Sequence, residues 1–151
     1  MLSDYVGGDF LQHQKIPAVR KKNNHTEDSR NRPRETIKVL YNYQLQNAPG
    51  KSIVGVEVEY PPDGFTPPHH HSGATVIARV TEGTILSGMN GNPPQVYKVG
   101  ESFMEQPGCH HTVGENNSRV LGAKLLAIFI IDTEVVKGGY DALTVVDKEW
   151  R

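Results

Sequence analysis

Cysteine is nearly absent. Cys109 is the single one, so no internal disulfide can form, and a reducing, cytoplasmic setting is expected rather than that of a stapled secreted scaffold. Long apolar runs are absent too. The longest, Leu125 to Ile131, has seven residues between Lys124 and Asp132. Spanning a bilayer takes roughly 20, so this run is expected to be a buried strand. Residues Met1 to Ile16 include Asp4, Asp9, His13 and two glycines, with no apolar core of the kind a signal peptide needs. A charge excess is also missing. The 16 Lys+Arg and 17 Asp+Glu nearly cancel, so no overall field would gather nucleic acid or an anionic membrane surface. Aromatic residues make up only 7% of the chain, and no segment carries a convincing amphipathic helical period.

What the chain has in quantity is turn formers and histidine. Its 15 glycines and 10 prolines suit a fold of many short strands, and its 151 residues suit one domain. The seven histidines are the unusual count.

The chain divides near residue 36. From Val19 to Glu35 there is one aliphatic side chain among six Lys/Arg and three acids, too little apolar surface to offset ordering entropy alone. Residues 1–35 are therefore expected to form an arm, solvated or laid along the barrel or a neighbouring subunit with Phe10, Leu11 and Ile16. The acids among its bases and the lack of interleaved aromatics argue against a nucleic-acid patch. Residues 36–151 read as short strands: Thr36 to Leu45, Ser52 to Tyr60, Thr66 to His71, Thr75 to Thr81, Thr84 to Met89, Gln95 to Val99, Ser102 to Gln106, Thr112 to Glu115, Ala123 to Ile131 and Leu143 to Val146. Val54, Val56, Val58 and Tyr60 alternate with Gly55, Glu57 and Glu59, the mark of a half-buried strand. Between the runs stand turns such as Pro61-Pro62-Asp63-Gly64, Glu82-Gly83 and Pro107-Gly108. The expected fold is all-β, an antiparallel barrel or jelly roll.

Five histidines fall in two clusters, His69-His70-His71 and His110-His111. On a strand, residues two apart share a face, so His69 and His71 can present imidazoles to one side while His70 points away. Such a pair is a ready chelate for a divalent metal; a surface histidine run is the bland alternative.

The flanking spacing resembles the two motifs of the cupin superfamily of small β-barrels. In the first, Gly, five residues, His, one, His, three or four, Glu, six, Gly, the register set by His69 and His71 places the closing glycine at Gly83. The opening glycine, Gly64, is one place late, and the Glu position falls on Val76 or, in the shorter form, Thr75. In the second, Gly, five residues, Pro, one, Gly, two, His, three, Asn, a start at Gly100 matches Gly108 and His111, with Pro107 and Asn116 displaced by one. The resemblance covers about residues 40 to 147 and implies a double-stranded β-helix, a jelly-roll barrel, with one divalent metal on His69, His71 and His111. Fe(II) is favoured, with Zn, Ni, Mn or Cu as alternatives.

Without the motif carboxylate, three neutral imidazoles would leave room for an anionic chelating substrate. Glu105 is the candidate to enter the site from the strand before Pro107, directly or by hydrogen-bonding a ligand imidazole, and Glu105 and His111 are the candidate catalytic residues. Cys109 is a possible thiolate ligand, with packing in a turn as its plainer role. Tyr41, Tyr43, Tyr60 and Tyr97 are possible phenolic acids, and equally ordinary strand residues. His13 and His25 belong to the arm. The cavity is expected to be lined by residues such as Val56, Val58, Phe103 and Ile130. By resemblance to three-His cupins that cleave diketones, the expected function is dioxygenase-type C–C cleavage of a small oxygenated molecule. A redox-neutral isomerase, cyclase or decarboxylase, a non-catalytic ligand-binding cupin and a metal-free epimerase-like cupin are the alternatives. The expected partners are a small-molecule substrate and a second copy of the chain in a homodimer.

Overall fold

The computed structural model describes residues 29–151. Strands follow as β1 (Thr36–Gln44), β2 (Lys51–Tyr60), β3 (Phe65–Thr66), β4 (His69–His70), β5 (Thr75–Glu82), β6 (Thr84–Met89), β7 (Gln95–Lys98), β8 (Ser102–Glu105), β9 (His111–Asn116), β10 (Ala123–Asp132) and β11 (Val145–Val146). They form two sheets, one in the order β1-β2-β10-β5-β8 and the other β11-β4-β9-β6-β7, with β3 also on β9. Every pairing between these strands is antiparallel. The all-β barrel expected from the sequence is therefore the fold. Short 3-10 turns are its sole helical elements among the described residues, and none is long or apolar enough to cross a membrane.

The core follows the two-residue period of the strands. On β10, Ala123, Leu125, Ala127, Phe129 and Ile131 are buried and the residues between them are half-buried. Val54, Val56, Val76, Ala78 and Val80 meet them from β2 and β5. The chain passes between the sheets at Gly83, where φ is +67° and a Cβ would stand 2.6 Å from the Gly122 carbonyl oxygen, so a side chain is doubly excluded at this corner. Ile85, the second residue of β6, has no exposed surface. Ile85→Ala is expected to cost about 3 kcal/mol through lost burial and a residual cavity. Urea unfolding checks this, as a lowered midpoint at unchanged slope.

Two expected strands are broken. Thr66 to His71 splits into β3 and β4 because Pro67 and Pro68 have no N–H to give a ladder. Leu143 to Val146 keeps only Val145–Val146 as strand, since residues 141–143 form a 3-10 turn. The end of the arm, residues 29–35, lies along the barrel. Arg32 Nη1 donates to Glu115 Oε2 at 2.8 Å and Nη2 to the Asp63 carbonyl at 3.0 Å, and Phe65 N–H donates to the Pro33 carbonyl at 3.0 Å. Phe10, Leu11, His13, Ile16 and His25 lie outside the described residues.

Candidate metal centre

The wall of the site is the β4–β9 pair. His69 stands directly opposite His111 in the register, and His71 follows two residues on, so all three imidazoles enter one side of the sheet. All three are buried, with ring centroids 4.6 Å apart for His69 and His71, 4.8 Å for His69 and His111, and 6.3 Å for His71 and His111. Gly114 makes room on β9, since a Cβ there would stand 3.1 Å from His111 Cε1. His70 and His110 point to the other face, as the alternation requires.

The outward nitrogens of the rings set the tautomers. His69 Nδ1–H donates to the Pro67 carbonyl and His71 Nδ1–H to the Leu143 carbonyl, each at 2.6 Å. A carbonyl only accepts, so the proton of each neutral ring is spent outward and each Nε2 lone pair faces the centre. His111 turns Nδ1 to the centre, 3.2 Å from His69 Nε2, and sets Nε2 2.9 Å from Ser87 Oγ. The Ser87 hydroxyl can give or take, so His111 can carry its proton on either nitrogen. Burial, with the neighbouring rings, holds His69 well below the usual histidine range. Burial also lowers His111, against the opposing pull of Glu105.

Into this ring of nitrogens comes a carboxylate. Glu105 ends β8, where its backbone pairs with Val76 of β5, so it stands across the ladder from the position where the first motif would have its glutamate. Its Oε2 lies 3.1 Å from His71 Nε2 and its Oε1 3.3 Å from His111 Nδ1, with only 3% of the residue exposed. Burial alone would raise its pKa, but His71 and His111 beside it outweigh that and hold the carboxyl below the usual range.

Two of these atoms, His71 Nε2 and Glu105 Oε2, are buried without a hydrogen bond. With His71 neutral, its Nε2 lone pair and the carboxylate oxygen 3.1 Å away repel, a repulsion relieved by a shared cation, either a proton on Nε2 or a metal ion. The three imidazoles, with the carboxylate beside two of them, make a donor set that fits a divalent metal.

The histidines lie against a cavity of about 480 Å³. Val56, Val58 and Phe103 line it as expected, but Ile130 does not. Its side chain falls on the opposite phase of β10, and Phe129 and Leu125 take its place. Tyr60 also lines it, its hydroxyl 2.9 Å from Thr66 Oγ1, and burial pushes that phenol far above its ordinary range. The other tyrosines are less placed for chemistry: Tyr41 and Tyr43 stack on each other at 5.6 Å, and Tyr97 packs on Phe103 at 4.8 Å. Cys109 stands outside the three-histidine group, and burial pushes its thiol up, away from the thiolate form a ligand needs. Reading the sequence missed Ser87, the Leu143 carbonyl, and Arg34 and Glu35 in the cavity lining. None carries a local signal, because each reaches the site through strand pairing or chain reversal.

The family model for the cupin domain matches residues 56–129. Germin-like protein 8-6 of Oryza sativa subsp. japonica is 37% identical over 91 residues, covering 52% of this chain and 40% of that protein. The chain belongs to the cupin superfamily. It spans less than half the length of the germin-like relatives it matches. A Klebsiella pneumoniae protein with a double-stranded β-helix domain superposes on this cupin with a TM-score of 0.55 at 14% identity, covering 66% of this chain and 79% of that one. A recombinant oxalate oxidase in complex with glycolate gives 0.51 at 25% identity, covering 83% of this cupin and 61% of that chain.

Proposed function

We propose that this cupin is a metal-dependent enzyme holding one divalent ion on His69, His71 and His111, with Glu105 as the anionic member of the set. Its reaction is dioxygen-dependent C–C cleavage of a small oxygenated molecule. The observation that carries this reading is the convergence of two imidazoles oriented by backbone carbonyls with a buried carboxylate whose Oε2 has no hydrogen bond. The likeness to an oxalate oxidase in complex with glycolate supports a small oxygenated acid as the ligand class.

An ion so held supplies Lewis acidity and, if it is iron, redox chemistry toward oxygen ligands. The protein does the rest. Pro67 and Leu143 aim two imidazoles through their carbonyls, and Ser87 steadies the third. Leu125, Ala127 and Phe129 keep the wall of the cavity dry, which strengthens every charge interaction inside it. Tyr60, held by Thr66, offers a hydroxyl to a polar group of the substrate and keeps its proton.

Oxygen uptake by Fe(II)-loaded protein, with β-diketones and small hydroxy and keto acids as substrates, tests the reaction. Uptake matched to substrate loss is expected. Turnover that proceeds equally without oxygen would replace cleavage by a redox-neutral conversion, and binding without turnover would make the chain a ligand-binding cupin.

A further inference from the structure

The alternation that sends His69, His71 and His111 inward sends His70 and His110 through the other face of the same strand pair. Because His69 pairs with His111 in an antiparallel register, the register carried one step further sets His70 opposite His110, and their rings stack 4.5 Å apart at an interplanar angle of 2°. Asp147, the residue after β11, closes the group. Its Oδ2 accepts from His110 Nε2 at 2.8 Å and its Oδ1 lies 3.8 Å from His70 Nδ1. The three ligand atoms all lie within 4.8 Å of one another.

Each of the three is held from behind. Val145 pairs with His70 and Val146 with His69, and Asp147 N–H donates to the Pro68 carbonyl at 2.9 Å. His110 N–H donates to Asn90 Oδ1 at 3.0 Å. The aspartate is also shielded, its side chain 18% exposed, while the two imidazoles are more open at 49% and 35%. An ion bound at about 2.1 Å from each ligand atom sets those atoms roughly 3.4 Å apart in a tetrahedral shell. The observed 2.8 Å from His110 Nε2 to Oδ2 and 3.8 Å from His70 Nδ1 to Oδ1 lie on either side of that spacing, and the stacked rings must tilt out of parallel for both lone pairs to meet one ion.

We infer that His70, His110 and Asp147 form a second divalent-metal site on the outer face of the β4–β9 wall, back to back with the inner one. Two imidazole nitrogens and one carboxylate oxygen select borderline ions such as Zn²⁺, Ni²⁺ or Cu²⁺ over Ca²⁺ and Mg²⁺. An ion there ties the segment after residue 140 to the barrel wall. That segment includes Leu143, whose carbonyl orients His71 on the inside.

Zinc titration of the full chain, stripped by chelator and followed by calorimetry and metal analysis, tests the site. Asp147→Asn and His110→Gln are each expected to bind one equivalent fewer than the unsubstituted protein while His111→Ala keeps the outer equivalent. Zinc is also expected to raise the melting temperature of the His111→Ala protein, with the rise lost when Asp147→Asn is added. Unchanged stoichiometry in both outer variants would overturn the site. If the unsubstituted protein and His111→Ala bind the same single equivalent and Asp147→Asn binds none, the outer site stands and the inner metal reading fails.

Discussion

His111→Ala is expected to lose the inner metal. The clean measurement is metal content in an Asp147→Asn background, where the ion on the outer face cannot be mistaken for the inner one. In that background, bound zinc is expected to fall from about one equivalent to near zero. Substituting residues that merely support metal ligands weakens binding by roughly 10- to 100-fold, and removal of a ligand exceeds that range. His111 is the hub of the site: it lies 3.2 Å from His69, 3.3 Å from Glu105 and 2.9 Å from Ser87. Its loss also opens a hole that Gly114, with no side chain, cannot fill, and leaves the buried Ser87 hydroxyl without its ring partner. The metal-free variant is therefore expected to lose about 1–3 kcal/mol of stability as well. Full metal retention by His111→Ala in that background would remove His111 from the ligand set.

How much of this centre the sequence disclosed depends on whether each contact is local. The strand period made the faces of His69, His70 and His71 legible, and the glycine spacing singled out His111 over His110. In the register His69 stands opposite His111. Glu105 was visible as a candidate, but its place was not. The motif position falls on Val76, and only the pairing of β5 with β8 shows that Glu105 stands directly across from it. Side chains across such a pair have Cβ atoms about 5 Å apart, close enough for a carboxylate to serve the position its neighbour leaves empty. The Leu143 carbonyl was hidden for a different reason: a backbone acceptor has no residue type to betray it, and it reaches His71 across 72 positions of chain. Ile130 marks the reverse failure. An unbroken apolar run such as Leu125 to Ile131 does not announce its inward phase, which Phe129 and not Ile130 turns out to share.

Glu105→Gln separates a metal-binding carboxylate from a structural one, because zinc affinity and metal-free stability are read independently. In the metal-free protein the carboxylate is buried between two imidazoles, and its Oε2 has no hydrogen bond. Glutamine keeps the volume, removes the buried charge and can donate from its amide to the His71 Nε2 lone pair. His71 and His111 hold the carboxyl below its usual range, so at neutral pH the metal-free fold favours the charged form and loses that stabilisation when the group is made neutral. The metal-free Glu105→Gln protein is therefore expected to melt below the parent. Metal binding should weaken as well, since three neutral imidazoles would face a divalent ion with no anion to balance it. Zinc affinity at the inner site, again read in the Asp147→Asn background, is expected to fall by about 10- to 100-fold. The zinc-induced rise in melting temperature should shrink accordingly, by roughly 1.4 kcal/mol of stabilisation for each tenfold loss of affinity. Parental zinc affinity together with a lowered metal-free melting temperature would place Glu105 among the groups that hold the fold. Zinc affinity weakened by that factor would place it on the ion.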